Sequence, residues 1–452
     1  MMPSSLDQRH FCIATRAVRA DLPLHSPATP AAAHPLAGNF LWTLVGNTTY
    51  ALCQWAVLMS FAKLGNVEML GQYALALAIT APVFQFCSLQ LRAVQVTDAR
   101  NRYAFRDLAG MRLLVTATGL VIVGALSFGG KYRGQTALVV ILIGLSKAIE
   151  SLSDLCQGLF QKNERMDRVA KSLILKGVAS VVVVAIALGL SGGPAAASGM
   201  LAIAWALAWV GYDLRNGIAQ LGGCRKALRP RLNRPLFRDL FVLTLPLGFV
   251  MGVLSLNANV PRYVLAKCYG EASVGVFAAL MYCIVAGNMV MGALGQVASP
   301  RLAKLHGDGD MRAFCVLLAK LVAVGAAMGL AGLVAVTIAG TEILTILYRP
   351  EYAFHAKSFF WLMTAGAIMN ISGVLGVALT SMQCFKQQAW IHLGCFAIGL
   401  AASIVLIPPM GVLGAAISVL ILATAGLVGF TVQLGLIIAD KRPASPLLVI
   451  SR

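Results

Sequence analysis

The chain has 452 residues, of which 59% are hydrophobic and 12% charged, and its mean hydropathy is +0.80. Soluble globular domains carry about 25% charged residues, so this composition excludes one and places the chain in lipid. A net charge of +19 would point to nucleic acid in a soluble protein, but here the basic residues follow the loops of a membrane topology and no nucleic-acid partner is expected.

Residues 1–37 hold Arg9, Arg16 and Arg19 and the run PATPAAAHP, without the apolar core that a secretory signal needs. A disordered extension is expected there, resembling a weak transit peptide or translated sequence upstream of the true start. Apolar stretches of about 20 residues, enough to cross about 30 Å of hydrocarbon as helix, follow near 39–61, 70–90, 108–128, 135–157, 170–190 and 198–217. Residues 218–235, with Gly222–Gly223, Pro230, Pro235 and a basic cluster, form a cytoplasmic linker between a first bundle, 38–217, and a second, 236–440. The second six spans lie near 236–258, 272–298, 314–338, 357–380, 389–408 and 412–438, and 441–452 form a cytoplasmic tail.

Basic residues alternate by loop. Arg92, Arg100, Arg102 and Arg106 follow span two, and Lys162, Arg165, Arg168 and Lys171 follow span four. Arg225, Lys226, Arg229, Arg231, Arg234 and Arg238 follow span six, and Arg301, Lys304 and Arg312 follow span eight. The intervening loops are poor in charge, so both termini are expected in the cytoplasm.

The run FAKLGNVEMLGQYALAL, Phe61 to Leu77, returns in altered form as VLAKCYGEASVGVFAAL, Val264 to Leu280. Ala62–Lys63 falls on Ala266–Lys267, Gly71 on Gly275 and Tyr73 on Phe277, at an offset of about 204 residues, too long for a solenoid repeat. It is a repeat of half a protein. The expected fold is an all-α integral membrane protein of about twelve transmembrane helices in two pseudo-symmetric six-helix bundles with a central cavity, a plan typical of secondary transporters. Pro82, Pro246 and Pro261 are expected to break or kink helices and free backbone carbonyls. The ten cysteines form no CxxC pair and read as small apolar residues.

Span four carries Lys147, Glu150 and Asp154 at spacings of three and four, which puts them on one helical face. Ionisable groups in a bilayer are costly, so Glu150 or Asp154 is a candidate site for a coupling proton or sodium ion. The alternative is structural, with Lys147 neutralising Glu150. Lys176 and Asp213 form a second candidate pair. The chain lacks HExxH, a P-loop and a nucleophile elbow, so neither an enzyme nor a cofactor or metal site is expected.

Four segments carry a family resemblance: LGQYALALAITAPVFQFCSLQLRAVQVTDA from Leu70 to Ala99, NVPRYVLAKCYGEASVGVFAAL from Asn259 to Leu280, ASPRLAKL at 298–305, and IPPMGVLGAA from Ile407 to Ala416. Their order and spacing resemble the polysaccharide and O-antigen (Wzx-type) flippase branch of the multidrug/oligosaccharidyl-lipid/polysaccharide exporter superfamily, over most of 38–440. The resemblance implies an inner-membrane carrier that flips undecaprenyl-diphosphate-linked oligosaccharide for surface or exopolysaccharide synthesis. Its partners would be the lipid-linked oligosaccharide, membrane lipids, a coupling proton or sodium ion, and a polysaccharide polymerase complex.

In that family the cavity is lined mainly by spans one, two, seven and eight. Arg92, at the inner end of span two, and Arg262 with Lys267, at the outer end of span seven, are then the candidate phosphate partners; otherwise they are interfacial residues that snorkel or meet lipid phosphate. Asn47, Gln54, Asn257 and Asn259 are candidate sugar-binding amides in the same spans, or interhelical hydrogen-bonding groups. A multidrug exporter of the same superfamily would want acidic residues in the apolar cores of those four spans, which have none. A peptidoglycan-precursor flippase would resemble a chain with two further helices. A non-transporting membrane scaffold would not need basic groups flanking a cavity.

Overall fold

Among the described residues of the computed structural model, 36–98, 102–129, 134–190, 192–223, 229–231 and 234–439, every regular element is helical. The expected N-terminal extension up to residue 35, the tail 441–452, and residues 224–228 and 232–233 of the linker lie outside them.

The first half comprises α1 (Leu36–Leu64), α2 (Val67–Cys87), a short α3 (Leu91–Thr97), α4 (Phe105–Gly129), α5 (Gln135–Lys162), α6 (Met166–Gly189) and α7 (Pro194–Ala208). A π-helical turn, Trp209–Leu214, joins α7 to α8 (Arg215–Gln220). The second half comprises α9 (Arg234–Gly307), α10 (Met311–Leu347), a 3-10 turn (Pro350–His355), α11 (Ala356–Ser381), α12 (Phe385–Met410) and α13 (Val412–Ala439). Helix starts follow their caps: the Asn66 side chain accepts from Met69 N–H at 2.7 Å ahead of α2, and that of Asp310 accepts from Ala313 N–H at 2.9 Å ahead of α10.

The helix α9 runs for 74 residues but leaves helical geometry at Gly270, where φ is 77° and ψ −174°. A glycine adopts that φ without a Cβ penalty, and the chain reverses there into a second pass. Ten helices among the described residues are long and apolar enough to span a membrane. Counting α9 as two arms and adding α1, whose Asn47, Thr48, Thr49 and Gln54 lower its hydropathy, gives twelve passes. In the first half α1 packs on α6, and α5 on α2, α4 and α7; in the second, α11 packs on α10, α13 and α9.

The halves meet chiefly where α2 packs against α9. A Cβ added at Gly71 would lie 1.8 Å from the Glu271 carbonyl oxygen, and one at Gly275 would lie 2.3 Å from that of Val67. Gly71 and Gly275 are equivalent in the sequence repeat, and so are Val67 and Glu271. The interface therefore pairs each copy of the repeat with the other, as a two-fold contact does between subunits.

The prolines do not break their helices, and the freed carbonyl expected at Pro82 is present. Pro82 lies inside α2 and Pro246 and Pro261 inside α9, and the departure from helical φ/ψ within α9 falls at Gly270 instead. Proline only removes a donor and crowds the preceding turn, whereas reversal needs a positive φ. The carbonyl freed by Pro82 belongs to Ala78, four residues back. It accepts a hydrogen bond from the Tyr263 hydroxyl of α9, across the two halves. We expect Tyr263→Phe to orphan this carbonyl and cost about 1–3 kcal/mol, read as a lower melting temperature of the detergent-solubilised protein.

Candidate functional site

The polar face of α5 is longer than the triad at 147–154. Lys147, Glu150, Asp154, Gln157 and Gln161 recur at spacings of three and four and face two adjacent cavities, of about 460 Å³ and about 290 Å³. Asn47 and Tyr50 of α1 close the larger one opposite α5, with Lys176 of α6. Gln85, Gln90 and Arg112 line the smaller. Arg92, Glu150 and Asp154 border both.

Local backbone geometry delivers Arg92 to this face. Span two does not run to residue 90 as a single helix: α2 stops at Cys87, and Leu89 and Gln90 take left-handed φ values of 47° and 50°. The turn redirects the chain into α3, which lies against α5 at Gly158. A Cβ at Gly158 would sit 2.4 Å from the end of the Gln95 side-chain amide and 3.2 Å from Arg92 Cγ, so glycine there makes room for the α3 side chains.

Three helices then converge on one carboxylate. Arg92 Nη1 donates to Asp154 Oδ1 at 3.1 Å, and Arg112 Nη2 donates to Asp154 Oδ2 at 2.9 Å. Arg92 also donates to Gln161 Oε1 at 3.0 Å and Gln157 Oε1 at 3.2 Å, and Arg112 to Ser151 Oγ at 3.3 Å. The two arginines differ in access: Arg112 is 1% exposed, whereas the Arg92 side chain is 29% exposed and faces the cavities. One turn away, Lys147 Nζ donates to Glu150 Oε2 at 2.7 Å, and the Tyr50 hydroxyl donates to Oε1 of the same carboxylate at 3.2 Å. Lys147 also sits 5.6 Å above the Trp205 ring, a cation–π contact.

Lys176 and Asp213 pair at 2.9 Å with 3% and 0% side-chain exposure, bridged by the Ser153 hydroxyl. The π-helical turn that holds Asp213 widens the helix by one residue and turns this carboxylate inward. Removing one partner leaves a buried charge unpaired, at about 3–5 kcal/mol. Lys176→Met should therefore lower folded yield sharply, and Lys176→Met with Asp213→Leu should restore it, as measured by size-exclusion recovery and melting of solubilised protein.

The structure brings Arg92, Glu150, Asp154 and Asn47 together. Gln54, on α1, has a buried Nε2 with no partner among the described residues. The α9 candidates line neither cavity. Arg262 Nη1 donates to Asn259 Oδ1 at 2.5 Å, and Asn259 itself donates to the Ser255 carbonyl of its own helix. Asn257 faces α12 at Gly399, and Lys267 is exposed beside the Gly270 reversal. Arg112, Gln157 and Gln161 were missed as candidates from the sequence. An arginine inside the apolar run of span three, and glutamines continuing the three–four spacing beyond Asp154, were the available signals.

Four cations (Arg92, Arg112, Lys147 and Lys176) thus face three carboxylates (Glu150, Asp154 and Asp213), and two guanidiniums share one of these acids. The polysaccharide biosynthesis protein family matches residues 36–306, which contain the whole cluster. The chain belongs to this family. Over 394 residues it is 28% identical to the capsular polysaccharide biosynthesis protein CapF of Staphylococcus aureus, covering 87% of this chain and 97% of that one. Its fold is similar to that of the lipid II flippase MurJ in an inward closed conformation, with a TM-score of 0.71 at 11% identity over 87% of each chain. It is also similar to an inward-facing multidrug resistance MATE family transporter of the MOP superfamily, with a TM-score of 0.63 at 13% identity over 90% of this chain and 96% of that one. This family member is an all-helical, multi-pass membrane protein with the fold shared by those two structures.

Proposed function

We propose that this protein is a transporter that flips an undecaprenyl-diphosphate-linked oligosaccharide from the cytoplasmic to the outer leaflet of the inner membrane, by alternating access of its two bundles. The observation that carries this reading is the excess of cation over carboxylate around Asp154, in a cavity that an anionic head group would neutralise. Arg112, being buried, keeps its hold on Asp154, while Arg92 is free to turn from the carboxylate to a phosphate. Asn47, Gln157 and Gln161 then offer donors and acceptors to sugar hydroxyls.

The polyprenyl tail needs a side opening. A third hollow of about 270 Å³ lies between Phe40, Leu44 and Asn47 of α1 and Met289, Gly292 and Ala293 of α9, and it meets the large cavity at Thr43 and Asn47. A head group inside and a tail left in lipid fit that arrangement. Under this reading the arginine-rich loops and both termini are cytoplasmic.

Cargo that draws Arg92 away leaves Asp154 one cation short, which favours a proton or sodium ion at Asp154 or Glu150 and supplies a route to coupling. Reconstitution in liposomes with lipid-linked oligosaccharide, followed by a membrane-impermeant sugar-oxidising probe, tests both parts. Wild-type protein should expose the glycan to the probe, and imposed proton or sodium gradients should bias the rate. Glu150→Gln, and Asp154→Asn paired with Arg112→Gln so that no buried charge is stranded, should lose the gradient response while retaining slow exchange. If wild-type vesicles show no glycan translocation, the flippase reading fails; if the variants follow the gradient as wild type does, the ion binds elsewhere.

A further inference from the structure

The helix α6 has two working faces. Val169, Leu173 and Lys176 look into the large cavity, whereas Leu175, Ala179 and Val183 look away from it. With Met200, Ile203 and Leu207 of α7, that outer face forms an apolar groove of about 550 Å³ on the flank of the first bundle. The groove ends at the π-helical turn. Because this turn directs Asp213 inward to Lys176, Gly211 and Tyr212 are left at the mouth of the groove, and a Cβ built on Gly211 would meet nothing within 4 Å.

Beyond Gly211 the character of the surface changes. A second hollow of about 640 Å³ continues from that residue and is walled by Leu214 and Ile218, by Arg215 of α8, and by Arg229 and Pro230 of the segment between the bundles. Both arginines are exposed, and neither has a carboxylate partner among the described residues. The backbone holds Arg229 in place: Arg106 Nε donates to the Arg229 carbonyl at 3.2 Å, and Arg231 N–H donates to the Arg106 carbonyl at 3.0 Å.

We propose that this surface binds one anionic glycerophospholipid, with an acyl chain lying between α6 and α7 and its phosphate held by Arg215 and Arg229. The match is one of charge and polarity along a single line: an apolar trough running with the helices and two unpaired guanidiniums where the helices end. The occupant is a lipid of the bilayer and not the cargo, because α6 stands between the groove and the cavity that holds Arg92. Bound there, the phosphate ties α8 to the segment joining the two bundles, and the chain covers the outer side of the turn whose inner side is the Lys176–Asp213 pair.

The full chain in nanodiscs of phosphatidylcholine, titrated with phosphatidylglycerol, tests the site by native mass spectrometry and melting temperature. One phosphatidylglycerol should be retained per chain and raise the melting temperature. Arg215→Gln with Arg229→Gln should weaken that retention at least tenfold, while Arg301→Gln with Lys304→Gln, on another basic surface, should leave it unchanged. Gly211→Leu, which fills the mouth of the groove, should also reduce retention; if that variant does not fold, the exposed arginine pair still decides. Undiminished retention in the Arg215/Arg229 variant, an equal loss in the Arg301/Lys304 variant, or equal stabilisation by soluble glycerol phosphate would each overturn the proposal.

Discussion

Replacing Gly71 by alanine is expected to destabilise the folded protein by about 1–3 kcal/mol, and by valine more, with transport falling in step. The added Cβ would lie 1.8 Å from the Glu271 carbonyl oxygen and 2.4 Å from its carbon, both backbone atoms with no rotamer to move aside. The repeat-equivalent Gly275→Ala meets Val67 O at 2.3 Å and Gly71 N at 2.8 Å, so it should behave alike. Small residues let membrane helices approach where lipid offers no hydrophobic drive for association, and here the approach joins the two bundles. Gly124→Ala, in α4, is the control: nothing lies within 4 Å of its Cβ, and helix propensity favours alanine there. Melting of solubilised protein together with vesicle transport separates the cases. Wild-type stability and transport in Gly71→Ala would show that the crossing is not needed.

The charged cluster should divide stability from transport. Asp154→Ala leaves Arg112, 1% exposed, without its carboxylate, and stranding a buried charge costs about 3–5 kcal/mol. Folded yield should collapse. Arg92→Gln removes the accessible partner instead; its side chain and that of Asp154 are 29% and 31% exposed, so the lost pair is worth about 1 kcal/mol or less after solvent screening. That variant should reach the membrane at normal yield and melt near wild type, yet lose most glycan translocation, because a phosphate forfeits a charge-assisted hydrogen bond of about 1.5–3 kcal/mol. Fluorescence-detected size exclusion at matched expression, paired with the vesicle assay, reads both quantities. Equal transport by Arg92→Gln and wild type would leave Arg92 a purely structural residue.

Much of this was readable in one dimension. Hydropathy counts apolar residues along the chain, and a helix needs a set number of them to cross lipid, so the twelve passes followed from the segments between 39 and 438. The offset that aligns Gly71 with Gly275 announced two like bundles. The spacing of Lys147, Glu150 and Asp154 announced one polar helical face, because helical periodicity is local.

What the sequence could not supply was which groups meet. Arg92 and Asp154 are 62 residues apart and join only because Leu89 and Gln90 turn the chain and Gly158 admits α3 against α5. Arg262 and Lys267 lie in or beside the family's cavity spans yet line neither cavity of the first bundle. The helix runs unbroken through Pro246 and Pro261, and Asp213 is buried in a π-helical turn that no local pattern announced. Span length and helical face are properties of neighbours in the chain. Charge pairing weakens with distance and strengthens with burial, so only the packed helices decide which arginine is locked to Asp154 and which remains open to an anion.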